Sequence, residues 1–308
     1  MPDIAGVLPV VSTPFDSDWS LDRGALRREV DWVMGHGADG LTVGMVSEVL
    51  RLTLTERMEL CDELVASLDG RGVLITSVGA ESTDQALRLV RHAVGSGVDA
   101  MMANPPLTVG SLSSEQLLTH YGALADAAGD TPLIVQDASG YIGSAVSLET
   151  LAELYRRYGG TKVQFKPEAQ PLGARLTRLL ELTDGGARVF EGIGGLALVD
   201  NYQRGVVGSM PATDLIWAVV PLWRSLVAGD FDTAYDIHAG LAAVLSLVGN
   251  LDSYVAMEKH LLVRQGVLPH PRQRQPVSFS LDPQTRTELD RLTDRLAAIV
   301  GHALPPTH

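Results

Sequence analysis

The sequence contains very little cysteine and has no segment typical of export or membrane insertion. Cys61 is the one cysteine among 308 residues, so an internal disulfide is impossible. This composition suits a reducing compartment, and we expect a cytoplasmic protein. The N-terminus has no basic segment followed by an apolar stretch, and no apolar run reaches about 18 residues. The sequence therefore predicts neither a signal peptide nor a membrane span.

Basic residues are scarce relative to acidic ones. There are 24 Lys and Arg against 37 Asp and Glu, which gives a net charge of −13. A protein that binds nucleic acid through its phosphates needs a basic surface, so we expect no nucleic-acid partner. The eight histidines are scattered and form no i,i+4 pair beside acidic ligands, so we expect no metal site.

Lysine is rarer still, because only Lys162, Lys166 and Lys259 occur. Arginine stays protonated near neutral pH, whereas a desolvated lysine can lose its proton and attack a ketone to form an imine. Lys166 is the last residue of an alternating, strand-like run that stops at Pro167. Its position therefore predicts a nucleophile, with a surface lysine in a salt bridge as the alternative.

Eight short apolar runs alternate with amphipathic helical stretches along most of the chain. The runs are Val7–Ser12, Gly40–Gly44, Val73–Val78, Ala100–Ala103, Leu133–Gln136, Lys162–Lys166, Val189–Glu191 and Val206–Met210. Strands that alternate with helices predict an α/β fold, here a (β/α)8 TIM barrel. Catalytic side chains of such barrels lie at the C-terminal ends of the strands, which is where the pattern puts Lys166.

The strand pattern stops near Gly229. Three amphipathic segments follow, at Phe231–Val248, Asp252–Arg264 and Asp282–Val300, and each predicts a helix. We therefore predict a barrel domain of residues 1–228 and a three-helix extension of residues 229–308. Helices that cannot complete a barrel usually cover it or form a subunit interface.

Several motifs, in order along the chain, resemble the dihydrodipicolinate synthase / N-acetylneuraminate lyase family. Val10–Asp16 is similar to the opening strand of the family and its Thr-Pro-Phe turn. Gly40–Glu48 is similar to the strand-two segment, where the family typically reads Gly-Thr-Thr-Gly-Glu. Lys166 matches the strand-six lysine, and Gly205–Met210 matches the strand-eight glycine segment. The resemblance covers nearly the whole chain and implies the same barrel and helical tail.

This resemblance implies a class I, Schiff-base lyase or aldolase that acts on pyruvate or another 2-oxo acid without a cofactor. Lys166 would attack the ketone, and the resulting iminium would draw electrons from the neighbouring carbon. A proton or a carbon–carbon bond can then be lost there, with an aldehyde as a possible second substrate. Because the family is commonly tetrameric, we expect a homo-oligomer, either a tetramer or a dimer.

The strand-five segment departs from the family pattern. The family has a Tyr-Asn-x-Pro run here, but this chain has Gln136 in the place of the tyrosine. A carboxamide does not transfer protons at neutral pH, so we expect Gln136 to bind substrate instead. Tyr141, five residues later, is predicted to supply the missing phenol as a catalytic proton shuttle. Lining the pocket and packing between helices are the alternatives for Tyr141.

The predicted carboxylate site is altered too. Met45 and Val46 replace the two threonines, and Ser47 supplies one hydroxyl a residue later. Backbone N–H groups of this turn can still hold a carboxylate, so we expect Val46 and Ser47 to bind substrate. A hydrogen bond within the turn is the alternative for Ser47. Gly192 after strand seven and Met210 at the end of strand eight complete the predicted substrate-binding residues.

Further positions concern specificity. Pro106 and Leu107 stand where synthase members carry tyrosines, which argues against dihydrodipicolinate synthase activity itself. Glu168 can orient the lysine or act as a base, although a loop carboxylate is the commoner outcome at such a position. Arg51 and Arg204 are the basic candidates for an anionic substrate tail, although a solvated or structural ion pair is the interpretation we favour for each.

Three functions stay open at this point. The first is a class I aldolase or hydratase-aldolase for a 2-oxo acid, with Lys166 as nucleophile and Tyr141 as proton shuttle. The second is an imine-forming dehydratase of a sugar acid, which uses the same lysine but eliminates water. The third is an inactive barrel that binds a small carbonyl compound, and the retained lysine argues against it.

Overall fold

Eight parallel strands close into a barrel in the computed structural model, which describes residues 4–107 and 110–306. One hydrogen-bonded sheet has the order β1–β8–β7 and the other runs from β2 to β6. Bridges between Val10 and Thr42 and between Phe165 and Val189 join the two sheets. The strands are β1 Gly6–Val7, β2 Gly40–Thr42, β3 Val73–Ser77, β4 Ala100–Ala103, β5 Leu133–Asp137, β6 Val163–Pro167, β7 Phe190–Glu191 and β8 Gly208–Ser209. The predicted (β/α)8 barrel is confirmed.

The first strand is shorter than the predicted run Val7–Ser12. Pro9 has no N–H group, so the regular ladder with β8 breaks there. Pairing continues less regularly, because the Val10 N–H donates to the Pro211 carbonyl at 2.7 Å and the Val11 N–H donates to the Thr42 carbonyl at 2.9 Å. The segment therefore stays within the barrel wall after regular strand geometry ends.

The barrel helices begin at side chains that cap their first N–H groups. Ser113 and Gln116 form a capping box at the start of α4, and Ser82 caps α3. Such caps satisfy backbone donors that have no acceptor within the helix. The helices are α1 Arg23–Gly35, α2 Leu54–Leu68, α3 Thr83–Ser96, α4 Ser114–Ala127, α5 Leu148–Tyr158, α6 Leu172–Leu182, α7 Leu198–Arg204 and α8 Ile216–Ala228.

Three further helices follow the barrel, as predicted: α9 Phe231–Leu245, α10 Leu251–Arg264 and α11 Pro283–Val300. Helix α9 packs against α8 and α11, whereas α10 packs against a short 3₁₀ turn, Met45–Ser47, which follows β2. The division of the chain at residues 228 and 229 into two domains stays a prediction. In the described parts of the chain, no helix combines the length and the apolar character needed to cross a membrane.

A buried ion pair attaches α10 to the barrel mouth. Lys259 is fully buried, pairs with Glu48 and donates to the Thr13 carbonyl at 2.8 Å. Burial lowers the pKa of this lysine, and Glu48 opposes that effect. Removing one partner of a buried pair leaves an uncompensated charge, so the pair holds α10 firmly in register with the strand-two turn.

Candidate active site

A cavity lies at the C-terminal ends of the strands, with α10 along one side. Among the residues predicted from the sequence to form the site, the structure brings all except Ser47 to its wall. The lining residues are Val10, Met45, Val46, Gln136, Tyr141, Lys166, Glu168, Gly192, Met210, Pro211, Ala212 and Tyr254.

Lys166 and Glu168 form a buried pair in this cavity. Lys166, near the end of β6, is 3% exposed, so it is not a surface lysine. Its Nζ lies 3.1 Å from Oε1 of Glu168, which follows the end of β6 and is 1% exposed. The Glu168 N–H donates to the Asp137 carbonyl at 3.0 Å, which holds the residue against β5. The pair can exchange a proton directly, since the two atoms are within hydrogen-bonding distance.

Gln136 fixes the orientation of the Glu168 carboxyl group. The register of β5 and β6 sets Gln136 opposite Lys166, and its Nε2 donates to Glu168 Oε1 at 3.1 Å. Oε2 of Glu168 is buried and has no hydrogen-bond partner among the described residues. Burial raises the pKa of Glu168, and the contacts with Lys166 and Gln136 counteract part of that rise. One carboxyl oxygen is thus held in place while the other faces no protein donor.

The turn after β7 leaves space for the lysine. A Cβ atom on Gly192 would lie 2.6 Å from Cε of Lys166 and 2.8 Å from Oε1 of Glu168. Glu191 shapes this turn, because its carboxyl accepts the N–H groups of Ile193 at 2.9 Å and Gly195 at 3.0 Å. The absence of a side chain at residue 192 is therefore a steric requirement of the Lys166–Glu168 pair.

Two tyrosines reach the cavity from different parts of the chain. Tyr141 lies in the loop after β5, and burial, together with Glu168 and Glu191, raises the pKa of its phenol. Tyr254, on α10, is 8% exposed, and burial raises its pKa well above the ordinary value. Tyr254 was not predicted from the sequence. Its helical pattern indicates a core-facing residue and carries no signal that α10 reaches the barrel mouth.

Ser47 lies behind the cavity wall. Its hydroxyl donates to the Val11 carbonyl at 2.5 Å and accepts the Gly44 N–H at 3.1 Å. The single hydroxyl proton of Ser47 is therefore already donated to the protein backbone. This agrees with the alternative given for Ser47, a hydrogen bond within the turn. Met45 and Val46 of the same 3₁₀ turn do line the cavity. The first N–H groups of such a turn have no acceptor within it.

The two candidate arginines form ion pairs elsewhere. Arg51 lies 2.5 Å from Asp252, and Arg204 lies 2.8 Å from Asp200. Neither lines the cavity, where Lys166 is the one cationic side chain among the described residues. The charged groups of the cavity are therefore one lysine and one carboxyl.

A possible ion-binding group lies on the outside of the barrel, between α2 and α3. Donor atoms of Cys61, Asp62 and His92 lie within 4.8 Å of one another. Asp62 already accepts from His92 Nε2 at 2.8 Å and from Ser96 Oγ at 2.7 Å. Burial raises the pKa of Cys61 to about 11, which keeps it a thiol and a poor ligand at neutral pH. The expected absence of a metal stays a prediction.

Comparisons with known proteins place the chain in a family. The family model described as dihydrodipicolinate synthetase family matches residues 3–296. The L-2-keto-3-deoxyarabonate dehydratase of Azospirillum brasilense is 29% identical over 303 residues, covering 96% of this chain and 95% of that protein. The 4-hydroxy-tetrahydrodipicolinate synthase of Roseobacter denitrificans is 27% identical over 310 residues, 97% of each chain.

A solved structure has the same fold. The 4-hydroxy-tetrahydrodipicolinate synthase of Methylacidiphilum fumariolicum SolV superposes with a TM-score of 0.86 at 22% identity, covering 97% of this chain and 98% of that one. At this sequence identity the superposition supports the fold alone. Together with the family match along the sequence, it leads to one assignment: the chain belongs to the dihydrodipicolinate synthetase family and is a lyase of that family.

Proposed function

We propose that this lyase forms an imine between Lys166 and a 2-oxo acid, with Glu168 as the group that takes and returns protons. The observation that carries the proposal is the buried 3.1 Å contact between Lys166 Nζ and Glu168 Oε1 at the end of β6. A carboxyl group whose pKa is raised by burial is a better acceptor for the lysine proton than an ordinary carboxylate. The lysine then attacks as a neutral amine.

The covalent step follows from this pair. Nζ of Lys166 adds to the ketone carbon, the carbonyl oxygen leaves as water, and a C=N bond forms. The protonated imine withdraws electrons from the adjacent carbon, so that Glu168 can remove a proton there. Gln136 holds the carboxyl in place by its 3.1 Å hydrogen bond and transfers no proton itself.

The remaining predicted residues have complementary roles in the proposal. The 3₁₀ turn at Met45 and Val46 binds the substrate carboxylate through backbone N–H groups, because the altered side chains there are apolar. Tyr141 is the proposed proton shuttle, because its phenol lines the same cavity as Lys166 and Glu168. Met210 and Gly192 border the substrate without polar side-chain contacts.

Elimination of water from a 2-oxo-3-deoxy sugar acid is the second candidate, as against cleavage of a carbon–carbon bond. In elimination, Glu168 takes the proton from C3 and returns it to the C4 hydroxyl, which leaves as water. In cleavage, a base takes the proton of the C4 hydroxyl and the C3–C4 bond breaks. Elimination is supported by the dehydratase of Azospirillum brasilense, which matches this chain over 303 residues. NMR of the product distinguishes the two reactions. After elimination the product keeps every carbon atom of the substrate, whereas cleavage divides the substrate into two smaller molecules.

Assembly and location are also proposed. Members of this family are commonly oligomeric, and a homotetramer or homodimer of this chain would be measured by sedimentation. A cytoplasmic location is supported by the single cysteine, which is buried as a thiol.

Borohydride trapping tests the proposed chemistry. The protein is incubated with pyruvate and larger 2-oxo acids, reduced, digested and analysed by peptide mass spectrometry. We expect an adduct on the Lys166 peptide that is absent in Lys166→Arg. Lys162→Arg is the matched control, because Lys162 lies just before β6 and its Nζ donates to the Thr131 carbonyl at 2.6 Å, outside the cavity. An adduct that persists in Lys166→Arg, or no adduct with any 2-oxo acid, would refute the proposal.

A further inference from the structure

The extension helix α10 contributes a polar group to the cavity that the imine chemistry does not use. Tyr254 lies on this helix and lines the same cavity as Lys166 and Glu168. Its hydroxyl makes no hydrogen bond with any of the residues at 4–107 and 110–306. A phenol at a cavity wall that is not used by the protein is open to a hydrogen bond with water or with a ligand.

Helix α10, which carries Tyr254, is attached to the barrel mouth on two sides. Lys259 attaches α10 to Glu48 after β2, as described above. On the other side, Oε1 of Glu258 accepts from the Thr213 hydroxyl at 3.2 Å, in the segment after β8. A helix held at two points of the barrel rim presents its side chains with little freedom, which is what a recognition group requires.

The turn after β7 is built around the Tyr254 hydroxyl. Gly194 has φ of +72°, and a Cβ atom there would lie 2.5 Å from the tyrosine oxygen. Glycine is needed at this position for the backbone angle and for the space. The phenol oxygen therefore lies beside the same turn whose Gly192 contacts Lys166.

The surroundings of Tyr254 make its phenol a hydrogen-bond donor. Burial is the largest cause of its raised pKa, and the acidic groups Asp214, Glu258 and Glu191 add to it, together with Tyr141. The hydroxyl consequently keeps its proton at neutral pH. A neutral donor suits a substrate oxygen and leaves proton transfer to other groups.

The chemistry of the wall indicates which substrate oxygen this is. Glu168 Oε2 lacks a partner among the described residues, and the Tyr141 phenol lines the same cavity. Lys166 is the one cation of the described lining residues, and the proposed function uses it for the imine. A second carboxylate or a phosphate would lie unpaired beside buried carboxyls, whereas alcohol groups can donate to Glu168 and accept from a phenol.

We propose that Tyr254 is a specificity-determining residue that donates a hydrogen bond to an alcohol group on the uncharged tail of a hydroxylated 2-oxo acid. The inference rests on the proposed function, because the substrate is held at Lys166 as an imine. It extends the site to a residue of α10, outside the eight βα units of the barrel.

The test compares two acids of the same chain length, 2-oxopentanoate and 2-oxo-3-deoxypentonate, which differ by two alcohol groups. The concentration of each acid that half-saturates borohydride trapping at Lys166 is measured in the wild type and in Tyr254→Phe. We expect the variant to need about tenfold more of the hydroxylated acid, as for the loss of one net hydrogen bond, and unchanged concentrations of 2-oxopentanoate.

Tyr121→Phe is the matched control. Tyr121, on α4, is fully buried, its hydroxyl has no partner among the described residues, and it lies outside the cavity. We expect this variant to trap both acids like the wild type. Equal half-saturation of the hydroxylated acid in Tyr254→Phe and the wild type would overturn the inference, and so would an equal loss for both acids. If the wild type forms no adduct with either acid, the proposed function itself fails.

Discussion

Replacement of Gly192 by alanine tests how closely the cavity is built around its lysine. The added Cβ atom would lie 2.6 Å from Cε and 3.0 Å from Cγ of Lys166. Carbon atoms in favourable contact are about 3.5–4.0 Å apart, so the lysine chain must move by about 1 Å. The φ angle of Gly192 lies outside the left-handed region, so alanine meets no backbone strain there. The substitution therefore acts through the steric clash of the added methyl group.

The expected consequence is a large loss of activity with little loss of fold. A displacement of about 1 Å between reacting groups can lower a rate by about 10²-fold. The same methyl group lies 2.8 Å from Glu168 Oε1, so it also separates the nucleophile from its proton acceptor. We therefore expect the rate of imine trapping at Lys166 to fall by about 10²-fold in Gly192→Ala.

The assay measures the initial rate of borohydride-trapped adduct with pyruvate, and thermal unfolding reports the fold. Gly95→Ala is the matched control, because Gly95 lies in α3 with no atom within 4 Å of the added Cβ. Alanine within a helix is about 0.5–1 kcal/mol more favourable than glycine, so this control should trap normally and unfold no earlier than the wild type. A folded Gly192→Ala protein that traps pyruvate at the wild-type rate would refute the steric reasoning.

Two further predictions concern buried carboxyl groups. Glu168→Gln keeps the shape of the side chain but removes its ability to take a proton, so steady-state turnover of a hydroxylated 2-oxo acid should fall by about 10²–10⁴-fold. Turnover that stays within tenfold of the wild type would contradict a base at this position. Glu29 is fully buried, and burial raises its pKa from 4.5 to about 7. The folded state therefore retains a proton that the unfolded state loses, and stability falls as pH rises through this window by up to about 1.4 kcal/mol per unit. Denaturant unfolding of Glu29→Gln between pH 4.5 and 7 should show a shallower decline, and an unchanged slope would exclude Glu29 as its source.

The retained lysine gains meaning from its neighbours. The chain has three lysines, and of these Lys166 lines the cavity. Lys259 is used to attach α10 to Glu48, and Lys162 bonds the Thr131 carbonyl. Each of the three lysines thus has its own contacts. The rarity of lysine narrowed the nucleophile to three candidates, and the structure distinguishes Lys166 from the other two.

In the proposed function, other groups of the cavity take the place of the tyrosine that the family resemblance implies on strand five. Gln136 orients Glu168 by a hydrogen bond, and the phenols that border the site come from the loop at Tyr141 and from Tyr254 on α10. In the proposed mechanism, proton transfer depends on a carboxyl group whose pKa burial raises. This arrangement predicts that the site works without a tyrosine on β5.

Local patterns were enough to predict the architecture and several residues of the site. Apolar runs that alternate with amphipathic stretches predict βα units, because a strand and a helix differ in the period at which their side chains face the core. The capping box at Ser113 and Gln116 was readable for the same reason, since its partners lie three residues apart. Lys166 before Pro167 was likewise visible as a short-range feature, whereas Gln136 was singled out by the family resemblance.

The tertiary structure alone decided which polar atoms meet. Tertiary packing buries the pair of Glu168 and Lys166, directs the Ser47 hydroxyl to the Val11 carbonyl, and pairs Arg51 with Asp252. It also brings α10, far along the chain, against the strand-two turn. These contacts join residues up to about 200 positions apart, as Arg51 and Asp252 are. No periodicity in the sequence specifies them, because side-chain spacing records only which face a residue occupies, and the partner on that face is chosen when distant elements pack together.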